Sequence, residues 1–387
     1  MRRGASGRYE HADAGGEAVR PFLPNPLPPT PPLIVDGARQ VLLERSLLAL
    51  GRLDAISALL PDPRLFLYAY VRKEAVLSSQ IEGTQSSLSD LLLFELDAAP
   101  GVPIDDVVEV SNYVAALEHG IARIRGGFPL SGRLLREMHA HLLSRGRGSD
   151  KLPGEFRRSQ NWIGGTRPGN AHYVPPPPYA VPDAMGALET FLHDERQSFP
   201  VLIKSALAHV QFETIHPFLD GNGRLGRLLI TLMLVEAGLL THPLLYLSLY
   251  FKQHRAEYYR LLDGVRSEGD WEAWLDFFLV GVQVTATGAV ATAERLVRLF
   301  AEDFERVRQR GSTAASALRV LAALRERPII SLGAVCSASG MSFPTASKGM
   351  QLLLQLGVVR ELTGFRRNRL FAYERYLGVL NEGMEPL

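Results

Sequence analysis

The stretch from residue 216 to residue 227, HPFLDGNGRLGR, combines a glycine-rich turn with two arginines at the start of an apolar helix. Backbone amides in such a turn point into one concavity, where the partial positive charge of the helix N-terminus also favours an anion. Arg224 and Arg227 are three residues apart, so both guanidiniums project from one helix face beside that concavity. These features predict a polyphosphate site cradled by Gly221, Asn222 and Gly223.

Two side chains just before the turn could perform chemistry on a bound polyphosphate. Asp220 offers a hard carboxylate oxygen of the kind that Mg²⁺ or Mn²⁺ prefers. An unperturbed imidazole such as that of His216 titrates near neutrality and could accept a proton from an attacking hydroxyl. Each residue alone has an ordinary structural explanation. If all of these explanations held, it would take several coincidences to place a base, a metal ligand, an anion cradle and paired arginines within twelve residues.

The spacing H-x-F-x-D-G-N-G-R-x-x-R agrees with every fixed position of the Fic family signature, and the sequence resembles Fic proteins with a Fic N-terminal region over roughly residues 22–300. The resemblance implies a mainly α fold, in which a helical Fic core carries a small β-hairpin flap. It also implies a protein adenylyltransferase (AMPylase), an enzyme that moves AMP from ATP to a serine, threonine or tyrosine hydroxyl of a protein while pyrophosphate leaves.

The same resemblance assigns roles to the residues of the signature. His216 would deprotonate the target hydroxyl, and Asp220 would hold Mg²⁺ or Mn²⁺ on the α and β phosphates of ATP. Phe218 would anchor the loop in the core. The remaining members would bind the phosphates, and the two arginines among them would neutralise the β and γ groups: Gly221, Asn222, Gly223, Arg224 and Arg227.

Two segments outside the signature resemble other parts of a Fic nucleotide and target site. Ile163 and Gly164 lie in a segment similar to the family's flap, which docks the backbone of the target protein by strand addition. Tyr258 and its neighbour Tyr259 resemble a tyrosine pair that lies near the adenine. The protein partners implied are an unidentified target and the enzyme itself.

A second motif, in the stretch KEAVLSSQIEGTQSS, resembles the inhibitory helix of Fic proteins that carry their inhibitor upstream of the core. Ser78, Glu82 and Gly83 occupy its fixed positions. A carboxylate that docks on Arg227 would take the partner of the γ-phosphate and would repel ATP. In some relatives the same glutamate orients water for the removal of AMP, so a deAMPylase that uses the same site is the alternative activity.

Helical periodicity recurs along most of the chain and divides it into four regions. We expect a proline-rich tail or strap in residues 1–33, an N-terminal helical region with the inhibitory helix in 34–125, and the Fic catalytic core in 126–310. Gly- and Pro-rich residues between 151 and 178 predict the flap hairpin. Residues 311–387 predict three helices and a two-stranded ribbon, which is the layout of a winged helix-turn-helix domain.

The overall composition suits a cytoplasmic globular protein of two or three domains. A net charge of +1 argues against a chain-wide polyanion binder, and 46% hydrophobic residues are enough for a substantial core. Cys336 is the only cysteine, so intramolecular disulfides and thiolate metal clusters are excluded. We expect no secretory signal and no membrane partner, because no uninterrupted apolar run reaches about 18 residues. A homodimer is plausible by family resemblance alone.

Three rival hypotheses come from other classes or other substrates. A DNA-binding regulator, additional to catalysis, is suggested by basic residues on the third helix and ribbon of the last region: Lys348, Arg360, Arg366, Arg367 and Arg369. A zinc site could start from His209, Glu213 and His216, but HExxH is missing and Pro217 breaks the helix there. Transfer of another phosphate-containing group is compatible with the signature.

Overall fold

The computed structural model describes residues 2–59, 63–96, 102–194, 199–365 and 367–384. Arg366, one of the basic residues above, lies outside these ranges. The described chain is mainly α-helical, as the sequence predicts, with short strands at its beginning and near its end. The helices of the N-terminal region are α1 (Gly37–Leu59), α2 (Pro63–Ile81), α3 (Leu88–Phe94) and α4 (Ile104–Arg125).

The central helices surround two that are apolar on nearly every side. α7 lies inside the protein, and its residues after Val201 are buried except Lys204. α8 packs beside it and is equally enclosed. The helices of this region are α5 (Gly132–Leu142), α6 (Val181–His193), α7 (Val201–Ile215), α8 (Asn222–Glu236), α9 (Ser248–Gln253), α10 (Arg255–Glu268) and α11 (Trp271–Arg308).

α11 is the long helix that joins the core to the C-terminal region, and α1 packs along it. Within the described ranges it is the one helix whose length and apolar composition would let it cross a membrane, a test that buried core helices also pass. Half of its most apolar 18-residue window is buried, with Trp274, Phe278 and Val282 inside the common core.

The first 33 residues differ from the proline-rich tail or strap that the sequence suggests. The four strands β1 (Gly7–Tyr9), β2 (Ala12–Ala14), β3 (Glu17–Val19) and β4 (Phe22–Pro24) form two antiparallel pairs, β1 with β4 and β2 with β3. Ala14 and Val19 pack on Val174, and the amide of Phe22 donates to the Val174 carbonyl (2.9 Å). Such strands are three residues long and lie among glycines and charged residues, so the alternation of apolar and polar residues is too short to predict them from the sequence.

The C-terminal region contains a small helical unit with a three-stranded antiparallel sheet of order β5-β7-β6. Its elements follow as α12 (Ala314–Glu326), β5 (Ile329–Ser331), α13 (Leu332–Ser339), α14 (Phe343–Gln355), β6 (Arg360–Glu361), β7 (Leu370–Ala372) and α15 (Glu374–Asn381). The unit contacts α2, because the Lys73 ammonium of α2 donates to the carbonyls of Leu380 (2.8 Å) and Glu382 (3.2 Å). On α9, Lys252 donates to Gln80 of α2 (2.7 Å). The helix that carries Ser78, α2, is therefore bonded both to the C-terminal unit and to α9.

A buried ion pair ties the N-terminal segment to α11. Arg3 donates to the Glu272 carboxylate (2.6 Å from Nη1 to Oε2), and the two side chains are only 3% and 5% exposed. The same guanidinium donates to the Pro31 carbonyl (2.7 Å). Burial raises the pKa of Glu272, but the hydrogen bonds that it accepts, from Arg3 first and from the Ile34 amide next, together with the charge of Arg3, outweigh burial and lower this pKa to about 2.

We expect Arg3→Ala to lower the free energy of unfolding by about 3 kcal/mol, because it removes the partner of a buried carboxylate. Urea unfolding at pH 7 measures this change. The exposed pair of Arg2 and Glu268 is the control, since Arg2→Ala should cost less than about 1 kcal/mol. The depressed pKa of Glu272 makes the stabilisation shrink as the pH falls from 4.5 towards 2. Equal losses in the two variants would contradict the prediction.

Candidate active site

The loop between α7 and α8 carries the signature and is closed by a reciprocal pair of hydrogen bonds. The Phe218 amide donates to Asn222 Oδ1, and Asn222 Nδ2 donates back to the Phe218 carbonyl, both at 2.9 Å. The Phe218 ring is fully buried and stacks on the imidazole of His139, with ring centroids 3.8 Å apart. Phe218 thus anchors the loop, and Asn222 shapes it as well as starting α8.

His216 follows the last residue of α7 in a left-handed conformation (φ 49°), stabilised by the buried guanidinium of Arg157. Arg157 Nε donates to the His216 carbonyl (2.9 Å), and the Arg157 amide donates to the Pro217 carbonyl (2.9 Å). Burial lowers the pKa of His216 to about 4, and the charge of Arg157 also lowers it. The imidazole is therefore neutral at pH 7 and able to accept a proton.

The turn at the start of α8 provides an open cradle. Gly221 is left-handed (φ 76°), a conformation that glycine adopts at no steric cost. A Cβ added at Gly223 would lie 2.3 Å from Glu82 Oε1 and 3.2 Å from Arg227 Nη1. The missing side chain at this position is what leaves room for an anion beside the arginine.

Asp220 lies at the rim of this cradle with 39% of its side chain exposed. Its backbone carbonyl is fixed by His139, whose Nδ1 accepts from the Gly154 amide (2.8 Å), so that Nε2 carries the proton and donates to Asp220 (2.9 Å). The described residues contain no group of three potential metal-binding side chains. A single carboxylate next to a phosphate cradle suits Mg²⁺, which binds through one or two carboxylates together with substrate phosphates.

Arg227 is paired with the glutamate that the second motif predicts. Its Nη2 lies 2.7 Å from Glu82 Oε1, while Nε donates to Ser78 Oγ (2.8 Å) and Nη2 also donates to the Ser78 carbonyl (2.9 Å). Burial raises the pKa of Glu82, but the charge and hydrogen bond of Arg227 lower it more, so the net pKa lies below its ordinary value. The carboxylate is therefore ionised and occupies the donor that a phosphate would need.

The flap segment forms a single antiparallel bridge, between Ile163 and Tyr173, in place of the longer hairpin that the sequence suggests. The Ile163 amide donates to the Tyr173 carbonyl (2.8 Å), and Gly164 is left-handed (φ 68°). The N-terminal strands support the flap, because Glu17 accepts from the Gly169 amide at its tip (2.9 Å). Ile163 and Gly164 thus belong to a short, braced flap.

Tyr258, which the family resemblance places near the adenine, is buried in the core. Its ring is 1% exposed and stacks on Phe251, and its hydroxyl is bonded to His209 Nε2 (2.8 Å). Tyr259 is 39% exposed, so the neighbouring ring is the one available at the surface. The other nitrogen of His209 contacts the Gly226 carbonyl (2.9 Å), so both ring nitrogens have protein partners and none remains for the zinc of the rival hypothesis.

Three buried residues of the site were missed in the sequence. Arg157 and His139 position the backbone of the base and of the carboxylate, and Glu109 on α4 lies 2.8 Å from Arg224. No local motif marks them, since each is far from residue 216 in the chain. A local signal, a charged residue among apolar neighbours of a helix, exists only for Glu109, which lies between Val107 and Val110.

Comparison with known proteins agrees with this geometry. The Fic/DOC family N-terminal model matches residues 41–122, and the Fic/DOC family model matches residues 129–234. Protein adenylyltransferase Fic of Drosophila grimshawi is 32% identical over 247 residues, which are 62% of this chain and 47% of that protein. Its counterpart from Aedes aegypti is 33% identical over 202 residues, 51% of this chain and 37% of that protein. The chain thus spans about half the length or less of these curated relatives.

Solved structures show the same fold. A Fic family protein from Desulfovibrio desulfuricans G20 superposes with a TM-score of 0.60 at 22% identity, covering 89% of this chain and 98% of that one. Fic-1 from C. elegans superposes with a TM-score of 0.52 at 23% identity, covering 67% and 74%. Residues 41–122 and 129–234 thus match the two Fic/DOC family regions in order, within a fold that solved Fic proteins share.

Proposed function

We propose that the protein is a protein adenylyltransferase that transfers AMP from ATP to a hydroxyl of a target protein. The observation that carries this proposal is the convergence of a neutral imidazole, a glycine cradle and two buried guanidiniums on the start of α8. Its relatives from Drosophila grimshawi and Aedes aegypti are named protein adenylyltransferases, which supports the same reaction here.

In this reaction the hydroxyl oxygen of the target attacks the α-phosphorus of ATP. The neutral imidazole of His216 takes the hydroxyl proton, and the bond from the α-phosphorus to its bridging oxygen breaks as pyrophosphate leaves. Arg224 and Arg227 neutralise the charge that develops on the leaving group. Asp220 would hold Mg²⁺ or Mn²⁺, which supplies further charge neutralisation on the phosphates. The products are an AMP-modified hydroxyl and pyrophosphate.

In this proposal Glu82 inhibits the transfer of AMP. It occupies the side of Arg227 that faces Gly223, and its negative charge opposes any phosphate there. Ser78 adds two hydrogen bonds to the same guanidinium, so residues of α2 and of the turn after it hold Arg227 together. Removal of AMP with water oriented by Glu82 is the alternative activity of the same site.

The C-terminal unit has the element order of a winged helix, and we propose that identity for it. For the rival role in DNA binding, fewer basic side chains of this unit are unpaired than the sequence suggests. Arg360 and Arg369 are ion-paired with Glu374 and Glu361, whereas Lys348 and Arg367 are exposed. DNA binding therefore remains a prediction, and a mobility shift at low salt would test it.

We expect Glu82→Gly to raise AMP incorporation from labelled ATP by tenfold or more, on the order of the 1.5–3 kcal/mol of a charged hydrogen bond, because it frees Arg227 for phosphate. Labelling of lysate proteins and of the enzyme itself is the measurement. Glu82→Gln separates charge from shape: it keeps a hydrogen-bonding side chain without the repulsion and should give intermediate labelling. Unchanged labelling in both variants would rule out the inhibitory role.

In the Glu82→Gly background, His216→Ala should reduce AMP incorporation by about a hundredfold or more, since no other group would accept the hydroxyl proton. ATP affinity, measured by calorimetry, should change little because the phosphates bind to α8. His119→Ala is the control, a partly exposed histidine whose ring contacts Glu137 on the outer side of α5. If the His216 variant labels proteins as fast as its parent, the imidazole is not the base.

A further inference from the structure

Both arginines at the start of α8 are paired with carboxylates from the N-terminal region, but only one of these pairs belongs to the inhibitory motif. Arg227 pairs with Glu82, as described above. Arg224 pairs with Glu109, with 2.8 Å between Nη1 and Oε1. Arg224 and Glu109 are each 3% exposed, so this second pair is shielded from water almost completely.

The two carboxylates differ in their freedom to leave. Glu82 follows the end of α2, is 33% exposed, and precedes Gly83, whose φ of 101° places a flexible residue directly after it. Glu109 lies within α4, and its second oxygen, Oε2, accepts from Arg147 Nη2 (2.7 Å) and Nε (3.1 Å). Glu82 can move away with its turn, whereas Glu109 is fixed by its helix and by a second arginine.

The charges of the two pairs also differ. Arg227 and Glu82 cancel, which suits inhibition. Arg224 and Arg147 share the carboxylate of Glu109, and each also has a second, more distant carboxylate: Asp220 lies 3.5 Å from Arg224, and Asp106 lies 3.8 Å from Arg147. Arg224 Nε is buried and has no hydrogen-bond partner among the described residues, so this guanidinium still has a donor to offer. An arginine held in this way keeps its position and can still donate to an anion.

We propose that Glu109 is a positioning residue for Arg224 and that Arg147 balances its charge, so that together they orient Arg224 towards the terminal phosphates of a nucleoside triphosphate. The proposal rests on the proposed function and deepens it. Without the Glu109 carboxylate, buried Arg224 would keep only the more distant Asp220 (3.5 Å), and movement of its side chain towards other anions would weaken phosphate binding. Glu109 is thus the permanent counterpart of the removable Glu82.

The test compares ATP with AMP, which lacks the β and γ phosphates, by calorimetry in the Glu82→Gly background. Glu109→Gln should weaken ATP binding about tenfold and leave AMP binding within about twofold, because only the terminal phosphates depend on Arg224. Glu109→Asp should restore part of the ATP affinity. Glu118→Gln, an exposed substitution on the same helix, is the matched control and should change neither affinity.

Each other outcome overturns the proposal. Equal weakening of ATP and AMP would indicate a merely structural residue, tighter ATP binding would make Glu109 a second inhibitor, and unchanged binding would remove any role. If Glu109→Gln fails to fold, Arg147→Gln replaces it, since this side chain is 53% exposed. Arg147→Gln should weaken ATP binding about threefold without affecting AMP binding, because both carboxylate oxygens of Glu109 would then bind Arg224.

The readout also separates this proposal from the proposed function. Binding is measured without a target protein and without turnover. Suppose that Glu109→Gln selectively loses ATP affinity and that its parent, the Glu82→Gly variant, incorporates no AMP. This result would support the role of Glu109 and refute adenylyl transfer. AMP incorporation by the parent together with an unaffected ATP affinity in Glu109→Gln would do the opposite.

Discussion

A buried guanidinium needs an anion, and α8 begins with two of them, Arg224 and Arg227. The N-terminal region supplies both anions, Glu109 from α4 and Glu82 from the turn after α2. The association of the N-terminal helices with the core is therefore electrostatic at its centre as well as apolar around it. The same requirement would let the proposed phosphate site and the proposed inhibitory contact share one structure.

The base depends on a different kind of constraint. Arg157, 2% exposed, donates to carbonyl groups of the loop, including those of His216 and Pro176. Burial lowers the pKa of Arg157 itself to about 10, which still leaves it charged at neutral pH. This contact holds the backbone of His216, which is left-handed where the chain leaves α7. One buried residue, Arg157, thus affects both the backbone conformation and the protonation of His216.

The part of the site that sequence could predict is the part that is local in sequence. Residues of the signature meet because a single loop and helix start carry them, and Glu82 was found because its motif is short. Arg157, His139 and Glu109 reach the loop from other elements, and nothing near them in the chain states that destination. Periodicity predicts the helices well, but it did not show that Tyr258 faces the core while Tyr259 faces outward.

Gly223 connects substrate and inhibitor in a way that limits how the enzyme could change. The space left by its missing side chain is the one that Glu82 enters, with 2.3 Å between the carboxylate oxygen and an ideal Cβ. Under the proposed function, a larger residue there would displace Glu82 and obstruct the phosphate at the same time. Changes at Gly223 would therefore relieve inhibition only with loss of phosphate binding. Changes in Glu82 and the segment that bears it would relieve inhibition and leave the cradle intact.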